Sequence, residues 1–214
     1  MDNKKALLFI NGDAPKALPV TERYDIVACS DGAFHYLKSM NFPLHKLDFI
    51  SGDFDSHSGA DKSLYAEKFI HTPDQDKTDF GKSLEILIEK GAKTVDVFGG
   101  SGGEMDHFLG NLTVAYSFKD KIEITFFDEF STYYFIPKDF VLEDVKGKLI
   151  SLYPFPVAEN VVTNGLNWPL NSETLKITDR IGTRNFAVDD EIRISYQSGD
   201  LLIFVGGNYL KNHR

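Results

Sequence analysis

Residues 48–56 read Asp-Phe-Ile-Ser-Gly-Asp-Phe-Asp-Ser. An apolar pair, Phe49 and Ile50, runs through Gly52 into two carboxylates, Asp53 and Asp55, one residue apart. In extended backbone, side chains at i and i+2 leave the same face. A strand that ends here aims both acids at one point beyond its carboxyl end. Two carboxylates at one point repel unless a cation or a proton lies between them. Such oxygens suit magnesium, which takes one or two carboxylates plus water and phosphate oxygens. Gly52 allows a tight turn or a close backbone approach. The plainer alternative is an acidic loop in solvent, and this stretch alone leaves both open.

Residues 74–79, Asp-Gln-Asp-Lys-Thr-Asp, precede a helical pattern with Phe80, Leu84, Leu87 and Ile88 on one face. Asp76 reads as the N-cap, with Asp79 three residues on. Capping accounts for one or two acids, but not for Gln75, Thr78 and Lys82 beside them. Free N–H groups at a helix start, together with Lys82, suit phosphate oxygens. Metal-binding carboxylates beside a phosphate-binding helix start favour a nucleotide site.

The wider composition fits that reading. The chain has 214 residues, 42% hydrophobic and 26% charged, enough for a sizeable core. A net charge of -9 disfavours a general nucleic-acid or anionic-membrane surface. It does not disfavour phosphates that arrive with magnesium. Cys29 is the only cysteine, so no intramolecular disulfide forms. The first residues lead into a short apolar strand rather than a signal peptide, and no run approaches the ~18 apolar residues of a membrane span. These features suggest a cytoplasmic protein.

Apolar strand patterns occur at 6–10, 26–29, 49–50, 69–71, 95–98 and 122–127. Helical patterns fall at 33–40, 62–68, 76–90 and 106–118. This alternation predicts an α/β domain over 1–129 with a largely parallel sheet. Asp31, Asp53, Asp55 and Asp106 each follow a strand. They would therefore gather at the carboxyl edge, where open α/β sheets bind ligands. Gly99 to Gly103 could present backbone N–H groups to phosphates. Asp106 reads as an N-cap, His107 as an orienting group, and Asn111 lies four residues on along the same helical face.

From about residue 130 helical periodicity ends. Short apolar runs at 132–136, 149–153, 175–177 and 192–196 alternate with turn residues. Ser198-Gly199-Asp200 reads as a hairpin turn. Residues 130–214 are expected to form a small antiparallel β-sandwich. Trp168, the only tryptophan, lies in Gly165-Leu166-Asn167-Trp168-Pro169-Leu170. It is either a core aromatic or a stacking surface for a flat cationic ring.

Together these residues resemble the thiamine pyrophosphokinase family. The matching pieces are Ser30-Asp31-Gly32-Ala33, Gly52 through Ser56, Asp74 through Asp79, Gly99 through His107 with Asn111, and Gly165 through Leu170. The resemblance implies an α/β nucleotide domain followed by a β-sandwich. It implies transfer of diphosphate from ATP to the hydroxyl of thiamine, giving thiamine diphosphate and AMP. It implies magnesium at Asp53, Asp55 and Asp79. Asp31, Gln75, Asp76, Thr78 and Lys82 would line the nucleotide region, with Gly102, Gly103, Asp106, His107 and Asn111 also facing ATP. Trp168 would stack on thiamine, and Asn185 would touch it. It also implies a homodimer with active sites shared between protomers. Two positions depart from the family pattern. Glu104 stands where an arginine is usual, so Lys82 or another cation must meet the transferring charge. Arg184 precedes Asn185 where a serine is usual.

Two rivals remain in view. Asp53-x-Asp55 after a strand is similar to magnesium-dependent phosphohydrolases of the haloacid dehalogenase type, but His57 stands where those have threonine. A nucleotide-binding module without turnover is the other. The number of acids near the expected metal favours chemistry.

Overall fold

The computed structural model describes residues 3–53, 59–74 and 76–208. Asp55 and Gln75 lie outside the described residues. The chain divides into two compact units, Met1–Glu129 and Phe130–Arg214.

The first unit is built on parallel strands. They are β1 (Lys4–Phe9), β2 (Ile26–Ser30), β3 (Phe49–Gly52), β4 (Phe69–His71), β5 (Ala92–Phe98) and β6 (Glu123–Phe127). Their order is β4-β3-β2-β1-β5-β6, every pairing parallel. The helices are α1 (Asp31–Ser39), α2 (Gly59–Leu64), α3 (Asp79–Glu89) and α4 (Met105–Phe118). Leu7, Phe9, Val27, Cys29 and Ile50 cluster with Ala33, Phe34 and Leu37 of α1. On the opposite face, Ser51 Oγ lies 2.7 Å from Ser83 Oγ of α3, and Phe80 packs edge-on against Phe126. Both faces are therefore covered, which is why these strands read as continuous apolar runs. Each fully buried leucine or phenylalanine contributes on the order of 1.5–3 kcal/mol.

The order of strands has one reversal. After β4 the chain returns to place β5 beside β1. That point, beyond the carboxyl ends of β1 and β5, is the crevice such sheets leave for a ligand.

Local boundaries differ from the sequence pattern in three places. Helix α1 starts at Asp31, ahead of the apolar periodicity. The region expected as one helix at 62–68 is α2 followed by a 3-10 turn at Ala66–Lys68. Helix α3 begins at Asp79 with Thr78, not Asp76, as its N-cap. Thr78 Oγ1 accepts from Gly81 N at 3.1 Å, satisfying one of the orphan donors of the first turn.

The second unit is antiparallel throughout. Its strands are β7 (Ser131–Ile136), β8 (Asp139–Leu142), β9 (Lys148–Asn164), β10 (Asn171–Lys176), β11 (Gly182–Phe186), β12 (Ile192–Ser195) and β13 (Ser198–Asn208). The 17-residue β9 pairs with β10, β11, β12 and β13. Only 149–153 reads as a strand from pattern, because Pro154 and Pro156 argue against continuation. Ser198-Gly199-Asp200 is not a hairpin turn. It opens β13, which pairs with β7 and β9. The ladder shifts register between Gly199 and Leu201, so this glycine marks a bulge. Ile150, Leu152, Ile192, Ile194, Leu201 and Ile203 form the centre of the unit's core. An α/β unit followed by an antiparallel β unit is the fold class the sequence predicts.

Candidate active site

A cavity of about 380 Å³ lies at the carboxyl edge of the first unit's sheet. Strand ends supply Ile10, Asn11, Ser30 and Asp53. The start of α3 supplies Lys77, Thr78, Asp79, Phe80 and Lys82, and α4 supplies Asp106, His107, Gly110 and Asn111. Two helix N-termini thus face one space, a setting that favours anionic ligands.

The walls are held by specific contacts. Gly52 closes β3 against α1: a Cβ there would lie 2.4 Å from Asp31 Cβ. Asp31 is consequently buried beneath the rim, and its neighbours Ser30 and Gly32 reach the cavity instead. Ser30 Oγ is buried and has no hydrogen-bond partner among the described residues. A buried hydroxyl left unpaired costs about 1–3 kcal/mol.

Across the cavity, Lys82 Nζ lies 2.8 Å from Asp79 Oδ1. It also donates to the carbonyls of Thr72 at 2.8 Å and Asp74 at 3.1 Å. Lys77 is exposed and donates to Glu85 at 2.7 Å and 3.0 Å. Glu85 is the main cause holding the Lys77 pKa above its ordinary value. Asn111 Nδ2 donates to Gly100 O at 3.0 Å, tying α4 to the glycine-rich loop. Asp106 Oδ1 accepts from His107 N at 3.0 Å, and His107 Nε2 lies 3.6 Å from Glu104 Oε2. Glu104 is the N-cap residue of α4 without a side-chain cap bond.

The glycine-rich loop takes a different place from the one its composition suggests. Gly102 has φ 76, and a Cβ there would lie 2.0 Å from Asp13 Oδ2. Asp13 N donates to Ser101 O at 2.9 Å. The loop is therefore packed by the protein's own carboxylate, and neither Gly102 nor Gly103 lines the cavity. Tyr36 braces the same corner by donating to Ile10 O at 3.2 Å. Burial, then Cys29 nearby, pushes its phenol pKa up.

Of the residues singled out from sequence, the cavity brings together Asp53, Thr78, Asp79, Lys82, Asp106, His107 and Asn111. Asp76 is exposed outside it, its amide donating to Asp74 Oδ1 at 2.9 Å. Sequence reasoning missed Asn11, Ser30 and Lys77. Asn11 was signalled by Asn11-Gly12-Asp13 directly after β1. Ser30 had no signal beyond its position before Asp31. Among the described residues, no group of three or more His, Cys, Asp or Glu could hold a metal. Asp53 and Asp79 still supply hard oxygen donors. That suits a cation which draws the rest of its shell from phosphate and water.

The second unit has its own smaller cavity, about 180 Å³, lined by Leu152, Leu166, Trp168, Leu170, Arg180–Thr183 and Asn185. Trp168 is 57% exposed and meets Phe186 edge-on at 5.6 Å. It is presented, not part of the core. Asn185 Oδ1 accepts from Trp168 N at 3.1 Å, and its Nδ2 donates to Trp168 O at 2.7 Å. Both ends of that amide thus hold the tryptophan loop. Arg184, at φ 59, sits where β11 shifts register between Gly182 and Asn185. Arg180 is ion-paired with Glu173.

A parallel sheet with a cavity at its strand reversal, followed by an antiparallel unit presenting an aromatic, defines a two-part α/β plus β class. Comparison with known proteins specifies it. The thiamin pyrophosphokinase catalytic-domain model matches residues 18–126, and the thiamin pyrophosphokinase vitamin B1 binding-domain model matches 136–201. A Bacillus subtilis thiamine pyrophosphokinase is 27% identical over 71% of this chain and 75% of its own length. Thiamine pyrophosphokinase 1 of Oryza sativa subsp. japonica is 28% identical over 72% of this chain, a match spanning 64% of the rice protein. Among solved structures, the Bacillus subtilis enzyme superposes with a TM-score of 0.78 at 22% identity, covering 95% of this chain and 99% of that one. A Candida albicans thiamin pyrophosphokinase gives 0.81 at 17% identity, covering 95% and 89%. The chain belongs to the thiamin pyrophosphokinase family.

Proposed function

We propose that this protein is an ATP-dependent thiamine diphosphokinase. The thiamine hydroxyl oxygen forms a bond to the β-phosphorus of ATP, the bond from that phosphorus to the α-phosphate bridge breaks, and AMP leaves. The observation that carries this reading is the cavity at the sheet reversal. There Asp53, Asp79 and the N-terminus of α3 face one space.

In this reading ATP lies along the α3 N-terminus, with Thr78 and Lys77 toward its phosphates and Asn11, Ser30, His107 and Asn111 on the remaining walls. Asp53, Asp55 and Asp79 would hold magnesium, which when bound neutralises charge on the phosphates. Lys77 is the exposed cation available where Glu104 replaces an arginine. Thiamine's charged thiazolium would meet Trp168 by stacking and cation–π attraction, with Asn185 fixing the tryptophan loop. We place the protein in the cytoplasm as a homodimer, with each active site formed by residues of both protomers. No helix among the described residues is long and apolar enough to cross a membrane.

The test is product identity. Purified protein with magnesium and ATP should form AMP only when thiamine is present. Formation of ADP, or of free phosphate without thiamine, would refute the assignment and favour a phosphohydrolase. Chelation of divalent cations should abolish turnover.

A further inference from the structure

Lys82 lies on α3, and its side chain is only 8% exposed. An ammonium carries three donors and no acceptor. Three protein acceptors meet it: Thr72 O at 2.8 Å, Asp74 O at 3.1 Å and Asp79 Oδ1 at 2.8 Å. Thr72 and Asp74 belong to the loop leaving β4, and Thr72 N donates to Gly52 O at 3.0 Å. Asp79 opens α3 with its side chain 49% exposed at the cavity. One buried charge therefore ties the end of β4 to the first turn of α3, and through Thr72 to the strand that delivers Asp53.

A phosphate oxygen could reach this ammonium only by displacing one of those acceptors. The displaced group would lose a charge-assisted bond, the stronger kind. Lys77 on the same cavity differs. Its partner, Glu85, shares the surface with it, and an exposed ion pair is cheaply exchanged.

We infer that Lys82 is a positioning residue. It clamps the β4–α3 loop so that Thr78 and Asp79 are held toward the cavity, and it does not contact the transferring phosphates. The inference rests on the cavity being the ATP site, but the clamp itself is measurable without any ligand.

Hydrogen exchange of the ligand-free full-length protein tests it, with Lys82→Met, Lys82→Arg and Lys77→Met compared with the parent. Lys82→Met should speed exchange at least tenfold at the hydrogen-bonded amides of Thr72, Gly81 and Lys82, leaving the second unit's strands unchanged. Its kcat should fall at least tenfold, with KM for thiamine within twofold of the parent. Lys82→Arg keeps the charge, but a planar fork cannot meet three acceptors gathered around a tetrahedral ammonium. It should be intermediate in both exchange and kcat, and it decides the matter if Lys82→Met does not fold. Lys77→Met should raise KM for ATP with exchange unchanged. Parent-like exchange in a folded Lys82→Met protein overturns the clamp. Loosened exchange with parental kcat overturns its role in the reaction. Loss of metal-free ATP affinity with parental exchange would make Lys82 a phosphate ligand instead. If the parent itself forms no AMP, the proposed reaction fails, while exchange still decides the clamp.

Discussion

At the scale of single residues, Trp168 and Asp53 divide the proposed reaction between them. Trp168 is 57% exposed, so its truncation removes little core. Trp168→Ala should weaken thiamine binding about tenfold, matching ~1–2 kcal/mol of cation–π and stacking energy. Melting temperature and ATP affinity should stay near those of the parent. Unchanged thiamine affinity in calorimetric titration would remove the ring from the substrate site. Asp53→Asn keeps size and removes charge. Turnover should drop by at least a hundredfold, with circular dichroism and melting temperature preserved. Near-parental turnover at limiting magnesium would exclude Asp53 from the metal. Ser30→Ala offers a contrast. It removes a buried hydroxyl that no described residue satisfies, so the ligand-free protein should lose no stability while ATP affinity weakens several-fold. Lower stability without ATP would mean the hydroxyl already has a partner.

At the scale of elements, β1 and β5 are joined by a buried polar network. Asp96 of β5 accepts from Tyr24 Oη at 2.7 Å and pairs with Lys5 of β1 at 2.9 Å. Burial first, and the bond to Asp96 second, push the Tyr24 pKa up to about 12 from an ordinary 10.0. The folded state thus holds this proton more tightly than the unfolded chain. Its contribution is complete below pH 10 and is lost as pH climbs toward 12. Unfolding free energies of parent and Tyr24→Phe from urea titration should differ by about 1 kcal/mol at neutral pH and converge across that alkaline window. A constant difference would contradict the linkage. The same scale explains what was legible. The strands and helices of the first unit could be read because apolar runs and helical periodicity alternate cleanly. Asp53, Thr78, Asp79 and Asp106 could be placed because each follows a strand or opens a helix. Three features were hidden. Pro154 and Pro156 mask the continuity of β9. Gly199 has the composition of a turn and the role of a bulge. The cap of α3 passes from Asp76 to Thr78 because several residues in that stretch have capping side chains and only backbone geometry selects one. The glycine-rich loop misled for a further reason: no local pattern reveals that Asp13, far back in sequence, fills it.

At the scale of the whole molecule, the proposed homodimer with shared active sites is tested by a mixing experiment. Asp53→Asn and Trp168→Ala are each expected to be impaired alone when thiamine is held well below its KM. Unfolded together and refolded as random dimers, half would be mixed, and each mixed dimer would carry one intact site. About a quarter of parental activity should return. No recovery, with mixed dimers demonstrated, would mean that each site is built within one chain. The 17-residue β9 has a separate consequence, for the order of folding during synthesis. Every parallel strand pairing of the first unit closes within residues 1–129. The central partner of β9 is β13, which is made last of the described strands. As the chain leaves the ribosome, the first unit can therefore fold first. The second unit must wait, with β9 unpaired along one edge, until residues 198–208 emerge. A chain arrested at residue 190 should give a protease-resistant first unit and a digested second one; resistance of 130–190 in that chain would show that β9 can be satisfied without its last partner.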